Sequence, residues 1–468
     1  MSQATRALAR PETRPGSVLV AGSSGKGTTC RILAEVLYAA GLHPVLTAHG
    51  ARSWPDGWTR DGAPRKSIRL VEVDAAPLVR RIPPPAAIVC TNILRGRPDD
   101  DTAGAALTAQ LERAIRSLPA STTLILNADD PRVANLAASR PNPRLYFGMS
   151  DPVHGRVRKE PAAEIPCCPG CGERLSYARV YYAHLGHWAC GACGLGRPDP
   201  TVNVTKIGLV GSSSSRLHLG ATSASAALKV PLPGIYNAYN ALAAVTVATY
   251  LGLPAWSLRA VENASGGPMR MERTRVAERD VYLAVAENAT GYTEVLRAIL
   301  GDGEPRRMLL GLSAPQRPLQ DISWIWDVDF ESLAGLVPTP VLCGNRAADL
   351  GVRLEYAGWL GTRRAQGHPA GASIEPDPIR AVRAAILGTP PGQSLWIVST
   401  ATALAVIRSW LRRHHHVPHS VAERAERADW ADRADCAEPT ERAEHRRQRR
   451  AYRQPSGRPQ PERAGAAG

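Results

Sequence analysis

An α/β fold is predicted for this 468-residue chain. Short apolar runs alternate with helical patterns, a glycine–lysine turn joins the first run to the first helix, and two Cys-x-x-Cys knuckles lie mid-chain. The alternation is that of parallel sheets with helical crossovers. The turn marks a phosphate-loop domain, and the knuckles mark a zinc ribbon inserted into it. The expected organisation is an N-terminal segment (1–15), an ATP-binding domain (16–267) with the ribbon at about 161–199, a C-terminal α/β domain (268–412) and an Arg/Ala/Glu-rich tail (413–468). The cluster of Asn, Ser, Gly and Pro at Asn263–Pro268 sets the boundary between the two domains.

The first strand is Val18-Leu-Val, and Gly22-Ser23-Ser24-Gly25-Lys26-Gly27-Thr28-Thr29 follows it directly. Ile32, Leu33, Val36, Leu37 and Ala40 then repeat at helical spacing, and Gly41 stops the helix. Strand, glycine turn, lysine, hydroxyl and helix form the context of a phosphate loop. Backbone N–H groups at the helix N-terminus hold phosphates there, and the lysine reaches the outer ones. Only five of the 57 basic residues are lysines, and one of them stands where the loop needs it.

Cys168-Pro-Gly-Cys171 and Cys190-Gly-Ala-Cys193 bring four sulfurs together, with Gly170 and Gly191 expected to permit each bend. Arg174–Trp188 between them reads as a short hairpin. Two disulfides or four free thiols are the alternatives. The chain shows no signal peptide or long apolar span, so a reducing cytoplasm is expected, where thiols favour metal. Four thiolates leave no position open for water, so the zinc is structural. Cys167 is a spectator, and Cys30, Cys90, Cys343 and Cys436 read as buried or incidental thiols.

Further strands are expected at Ala86–Cys90, Leu124–Leu126, Met308–Leu312, Val341–Leu342 and Trp396–Val398, with a helix at Ala241–Leu251 and a surface turn at Gly211–Ser215. The net charge of +15 raises nucleic acid as a partner, but the preference for arginine over lysine reads as genomic composition rather than a binding code; the Arg/Ala/Glu-rich tail itself holds only +3 of the excess, 12 arginines against 9 acidic residues. That tail lacks apolar periodicity and reads as disordered, with the His414–His416 run inside it. No nucleic-acid partner is expected.

The loop spacing resembles that of Mur ligases and folylpolyglutamate synthases, with Gly27 where the family carries the hydroxyl that helps hold Mg²⁺. Val71-Glu72-Val73-Asp74 ends an alternating strand and resembles the strand end whose glutamate holds Mg²⁺, and Thr91-Asn92 follows an apolar strand as it does there. Leu126-Asn-Ala-Asp-Asp-Pro131 matches the N-x-D-D-P turn. Gly234-Ile-Tyr-Asn237-Ala-Tyr-Asn240 matches the helix whose asparagine contacts nucleotide. Met269-Arg270-Met-Glu-Arg273 is similar to the segment opening the last domain. The ribbon and the run Asp321-Ile-Ser-Trp-Ile-Trp-Asp327-Val-Asp329-Phe330 are narrower. With Cys343-Gly-Asn-Arg346-Ala-Ala-Asp349, Arg353-Leu and Ser399-Thr-Ala-Thr402, they resemble the MurT family, the synthetase subunits of lipid II isoglutaminyl synthase, over about residues 16–412.

That resemblance implies a carbon–nitrogen ligase. ATP and Mg²⁺ phosphorylate the α-carboxylate of D-glutamate in the lipid II stem peptide, at the inner face of the membrane. Ammonia from a GatD-type glutaminase partner then gives D-isoglutamine. Lys26 would neutralise the phosphoryl group, Glu72 and Thr28 would hold Mg²⁺, and Asn240 and Arg270 would contact nucleotide. Asp321 would complete the partner's catalytic triad by orienting its histidine. The chain departs from the pattern at Gly27, at Glu287 (usually lysine), at Arg95–Asp99 and across Leu312–Gln320. The competing readings are a Mur-type ligase adding an amino acid, a diverged paralogue with another carboxylate substrate, and a non-enzymatic phosphate-loop protein binding nucleic acid.

Overall fold

The computed structural model describes residues 16–47, 67–73, 84–94, 102–136, 138, 140–156, 167–210, 214–220, 227–264, 272–301, 304–314, 321–337, 340–359 and 373–414. Arg270, Asp74, Arg95–Asp99, Cys436 and the tail beyond His414 lie outside them. Two main sheets and one small hairpin carry the described chain.

The first sheet comprises β1 (Ser17–Ala21), β2 (His43–Thr47), β3 (Ser67–Val73), β4 (Ala87–Cys90), β5 (Thr123–Asn127) and β6 (Arg144–Met149). After the hairpin β7 (Ser176–Tyr182) and β8 (Leu185–Ala189), it resumes with β9 (Val202–Val210), β10 (Ser214–Leu219) and β11 (Ala227–Val230). Its order is β11-β10-β9-β6-β5-β4-β1-β3-β2. Pairing is parallel from β2 to β9, whereas β9, β10 and β11 run antiparallel.

The expected strand at Val18–Val20 lies inside the sheet, third from its β2 edge. Val18 and Val20 face one core and Leu19 and Ala21 the other, all fully buried. On the first face lie α1 (Lys26–Ala39) and a later helix; on the second lie α2 (Thr102–Ser117) and the short α3 (Pro131–Asn135). The later helix, α4 (Ile235–Tyr250), is the one expected at Ala241–Leu251, begun one and a half turns earlier; nearly all its residues are buried. Two readings need correction. β3 does not alternate, because it is covered on both faces. Ser214 and Ser215 belong not to a surface turn but to β10, where Ser215 Oγ donates to Leu232 O at 3.2 Å.

The second sheet has the order β12-β13-β17-β14-β15-β16: β12 (Glu272–Val276), β13 (Arg279–Val285), β14 (Arg307–Gly311), β15 (Val341–Cys343), β16 (Ser373–Ile374) and β17 (Ser394–Ser399). Only β12 pairs antiparallel. One face packs α5 (Ala289–Leu300) and α6 (Ala347–Tyr356) with the 3₁₀ segment Ser323–Asp327. The other packs α7 (Pro378–Gly388) and α8 (Ala401–His414). α8 thus takes in the first two residues, 413 and 414, of the expected tail.

Candidate functional site

The chain leaves β1 toward β3 and β2 and returns to β4 on the other side of β1. Such a switch opens a crevice at the carboxyl ends of the strands, where ligands of α/β sheets bind. Gly22–Thr29 and Thr91-Asn92 meet in that crevice. Ser23 N donates to Asn92 O at 2.8 Å, and Ser24 N donates to Asn92 Oδ1 at 3.0 Å. Thr91 Oγ1 donates to Ser24 O at 2.8 Å, and Leu94 N to Ser23 Oγ at 2.9 Å. Asn92 therefore shapes the loop, with both its backbone and its side chain spent on it.

Two glycines are dictated by close approach. A Cβ on Gly22 would overlap Thr91 Oγ1, and one on Gly25 would overlap Asn240 Oδ1; Gly25 also holds φ +82°. Asn240, expected to contact nucleotide, is thus packed on the loop itself, and its Nδ2 donates to Asn237 Oδ1 at 3.2 Å. Lys26 begins α1 and its Nζ donates to Gly22 O at 2.7 Å, across the loop. Glu72 stands against Gly27: a Cβ there would lie 3.1 Å from its Oε1. Thr28 and Thr29 are buried, and Thr29 Oγ1 has no hydrogen-bond partner among the described residues. The sequence brings Lys26, Thr28, Glu72, Asn92 and Asn240 to one place.

The Asn127–Pro131 turn lies beside them. Asn127 Nδ2 donates to Thr91 O at 2.8 Å. Asp130 caps α3 through the N–H groups of Arg132 and Val133, and its Oδ2 accepts from Ile93 N at 2.7 Å. Burial pushes Asp130 up, but His184 and the N–H groups of Ile93 and Val133 outweigh it and hold the carboxyl below its ordinary value. Asp129, also fully buried, accepts from Met149 N at 2.8 Å, Tyr239 Oη at 2.7 Å and Arg197 Nε at 2.5 Å. Arg197 and Tyr239 were not picked out from sequence. A buried aspartate pair demands compensating donors, but nothing in the spacing says which ones.

The four expected cysteines converge. Their Sγ atoms lie within 4.8 Å of one another, with Cys168 3.6 Å from Cys193 and Cys171 3.5 Å from Cys190. Thiolates around one tetrahedral ion at a metal–sulfur distance of about 2.3 Å are about 3.8 Å apart, so the donor set fits such an ion. None of the described cysteines is in a disulfide. The left-handed glycines are Gly172 (φ +81°) and Gly194 (φ +75°), not Gly170 and Gly191. Each follows a knuckle's second cysteine and lets the chain curl back, Gly172 N donating to Cys168 O and Gly194 N to Cys190 O. The intervening chain is the hairpin β7–β8, as expected.

On the second sheet, Asp321 is exposed, and Ser323 fixes both its oxygens: N to Oδ1 and Oγ to Oδ2, each at 2.9 Å. Asp329 has a different use, bonded to Arg297 at 2.5 Å and to Ser332 Oγ at 2.8 Å. Arg353 is buried beneath the run and donates to Ile325 O, Val328 O and Glu331. Trp324 packs in the core, whereas Trp326 is 50% exposed and meets the exposed Tyr356 edge-on at 5.5 Å. Glu287 accepts from the N–H of Ala401, so it caps α8, where a carboxylate complements the helix N-terminus.

A nine-stranded, largely parallel sheet with a glycine–lysine loop at its switch point, followed by a second α/β sheet, is a Mur ligase-like fold. A pseudomurein peptide ligase type C from Methanothermus fervidus superposes with a TM-score of 0.60 at 20% identity, over 86% of this chain and 80% of that one. MurF from Acinetobacter baumannii gives 0.55 at 15%, over 87% and 78%. Within that class the chain resembles MurT. The family described as MurT ligase C-terminal matches residues 285–404. The lipid II isoglutaminyl synthase (glutamine-hydrolyzing) subunit MurT of Streptococcus pneumoniae is 29% identical over 73% of this chain and 77% of its own length. That of Staphylococcus aureus is 27% identical over the same shares.

Proposed function

We propose that this chain is the synthetase subunit of a two-protein amidating ligase acting on the D-glutamate α-carboxylate of the lipid II stem peptide. Residues 16–267 would bind ATP and 268–412 would form the domain meeting the partner. The observation that carries the reading is the exposed Asp321, its two oxygens fixed by Ser323 on a segment clamped from beneath by Arg353, in a chain similar to glutamine-hydrolyzing synthases.

A carboxylate oxygen attacks the γ-phosphorus of ATP and ADP leaves, giving an acyl phosphate. Ammonia then attacks the carbonyl carbon, loses a proton, and phosphate departs with the C–O bonding pair. Lys26 and the loop N–H groups balance charge on the transferring phosphoryl. Glu72 and Thr28 are the oxygen donors suited to Mg²⁺, which supplies electrostatic stabilisation of that charge. A protein of this fold, MurF of Thermotoga maritima, has been solved with ADP. Zinc in the cysteine cluster would hold the ribbon closed. Ammonia would come from a GatD-type glutaminase, whose histidine Asp321 would orient and whose imidazolium it would stabilise. No described helix is long and apolar enough to cross a membrane. Lipid II would be met at the inner face of the membrane.

The test is reconstitution with a glutaminase partner, ATP, Mg²⁺ and a lipid II analogue, scored by mass spectrometry. Asp321→Asn should depress amidation from glutamine while leaving amidation from free ammonia intact, and Lys26→Ala should abolish both. Equal loss from both nitrogen sources in Asp321→Asn would place Asp321 in folding or substrate binding. Transfer of an amino acid in place of ammonia would favour the peptide-ligase reading.

A further inference from the structure

We propose that the cysteine-bearing ribbon is a positioning device for the nucleotide loop, acting through Asp129 and Asp130. This role rests on Gly22–Thr29 being the ATP loop.

The groups that dock the ribbon flank the metal ligands in sequence. Trp188, two residues before Cys190, donates Nε1 to Ala128 O at 2.9 Å. Arg197, four residues after Cys193, donates Nε to Asp129 Oδ1 at 2.5 Å and Nη2 to Met149 O at 2.9 Å. At the hairpin tip, Gly186 N donates to Asp129 O at 2.9 Å, and His184 Nε2 stands 3.3 Å from Asp130 Oδ2. Cys168, Cys190, Leu175 and Trp188 form the ribbon's own small core, which closes on Ala134 of α3. Four sulfurs that scatter would release Trp188 and Arg197 together.

From the turn, two routes reach the loop. Asp130 holds Ile93 N and Asn127 holds Thr91 O, which fixes Asn92 between them; Asn92 in turn shapes Ser23 and Ser24. Asp129 Oδ2 accepts from Tyr239 on α4, and the next residue of that helix, Asn240, packs on Gly25. Both aspartates are fully buried. A buried carboxylate deprived of its cation is costly to keep, so the turn yields when Arg197 is lost, and the loop yields with it. Hydrogen bonds act directionally, so a small rotation of Asn92 misaligns the loop without unfolding the sheet.

The experiment measures ATP affinity with Mg²⁺ by calorimetry, together with zinc content and melting temperature, for the full chain. Arg197→Gln should weaken ATP about tenfold, equivalent to about 1.4 kcal/mol, with one zinc retained. Arg197→Lys should recover part of that loss, and Trp188→Phe should show a smaller one. Stripping zinc from the wild type, then restoring excess Mg²⁺, should cost the same factor and should cost Arg197→Gln nothing more. Wild-type affinity in Arg197→Gln overturns the proposal. So do independent, multiplying losses from the variant and from zinc removal, or losses that merely follow melting temperature with lysine no better than glutamine. A wild-type chain that binds no ATP overturns the nucleotide reading and this role with it.

Discussion

Replacing Gly27 by alanine adds one methyl group in the first turn of α1, 3.1 Å from Glu72 Oε1 and 3.4 Å from Oε2. Two effects oppose each other. Alanine in place of glycine favours a helix by up to about 1 kcal/mol. The methyl group crowds a carboxylate that must give by a few tenths of an ångström, but Glu72, the next-to-last residue of β3, is half-buried on a side chain with rotatable bonds. The carboxylate therefore moves cheaply, and stability should rise by about 0–1 kcal/mol, or up to about 4 °C in melting temperature. The carboxylate's displacement has the opposite effect on chemistry. If Glu72 holds Mg²⁺, the metal concentration for half-maximal ATP turnover should rise about tenfold, as a loss of about 1.4 kcal/mol implies. Gly27→Ser adds the same Cβ with a hydroxyl and should need less Mg²⁺ than Gly27→Ala. Thermal unfolding and a Mg²⁺ titration of ADP release check both halves. A fall of more than about 2 °C would mean that Glu72 is rigid, and an unchanged Mg²⁺ requirement in Gly27→Ala would remove Glu72 from the metal site.

Three further outcomes are expected. Purified protein should carry about one zinc per chain, and Cys168→Ser should release it while the first sheet stays folded; a metal-free, equally stable wild type would sink the zinc assignment. Burial pushes the Asp329 carboxyl up, but Ser332 and Arg297 hold it below its ordinary value. Its contribution to stability is therefore present above the unfolded value near 4 and is lost as pH falls through the lower folded one; Asp329→Asn should lose less stability than wild type between about pH 4 and pH 2 in acid titration. Trp326→Ala should weaken binding of a glutaminase partner and glutamine-driven amidation, because a half-exposed tryptophan held against Tyr356 and Arg353, in the run that Asp321 opens, has the character of an interface anchor; unchanged pull-down would move the interface elsewhere.

The parallel centre of the fold was legible because its strands are buried on both faces and therefore read as unbroken apolar runs, as at Val18–Val20 and Ala86–Cys90. The antiparallel β9–β11 and β12 were not: exposed on one side, they carry Thr205, Lys206, Arg216 and Arg275, and the serines opening β10 look like a turn. The loop and the four cysteines could be read because their chemistry is fixed by local spacing. The donors to Asp129 could not, since Arg197, Met149 and Tyr239 are distant in sequence and meet only through the sheet. Gly170 and Gly191 drew attention inside the knuckles, whereas the backbone reverses just outside them. Glu287 looked like a lost lysine; only the placement of Ala401 gives it a helix to cap.

β6 and β9 are adjacent in the first sheet, yet the ribbon is spliced between them. Joining two neighbouring strands across about fifty residues carries a chain-entropy cost that grows only logarithmically, about 0.6 kcal/mol for each doubling of length. Metal closure between Cys168 and Cys193 would shorten that path by roughly half, so its gain for strand joining would be about 0.6 kcal/mol. That is too little to decide whether the sheet assembles. The first sheet should consequently close at nearly the same rate in refolding with or without the ion, and the ion's absence should be felt late, when the hairpin seats on Ala128 and Asp129.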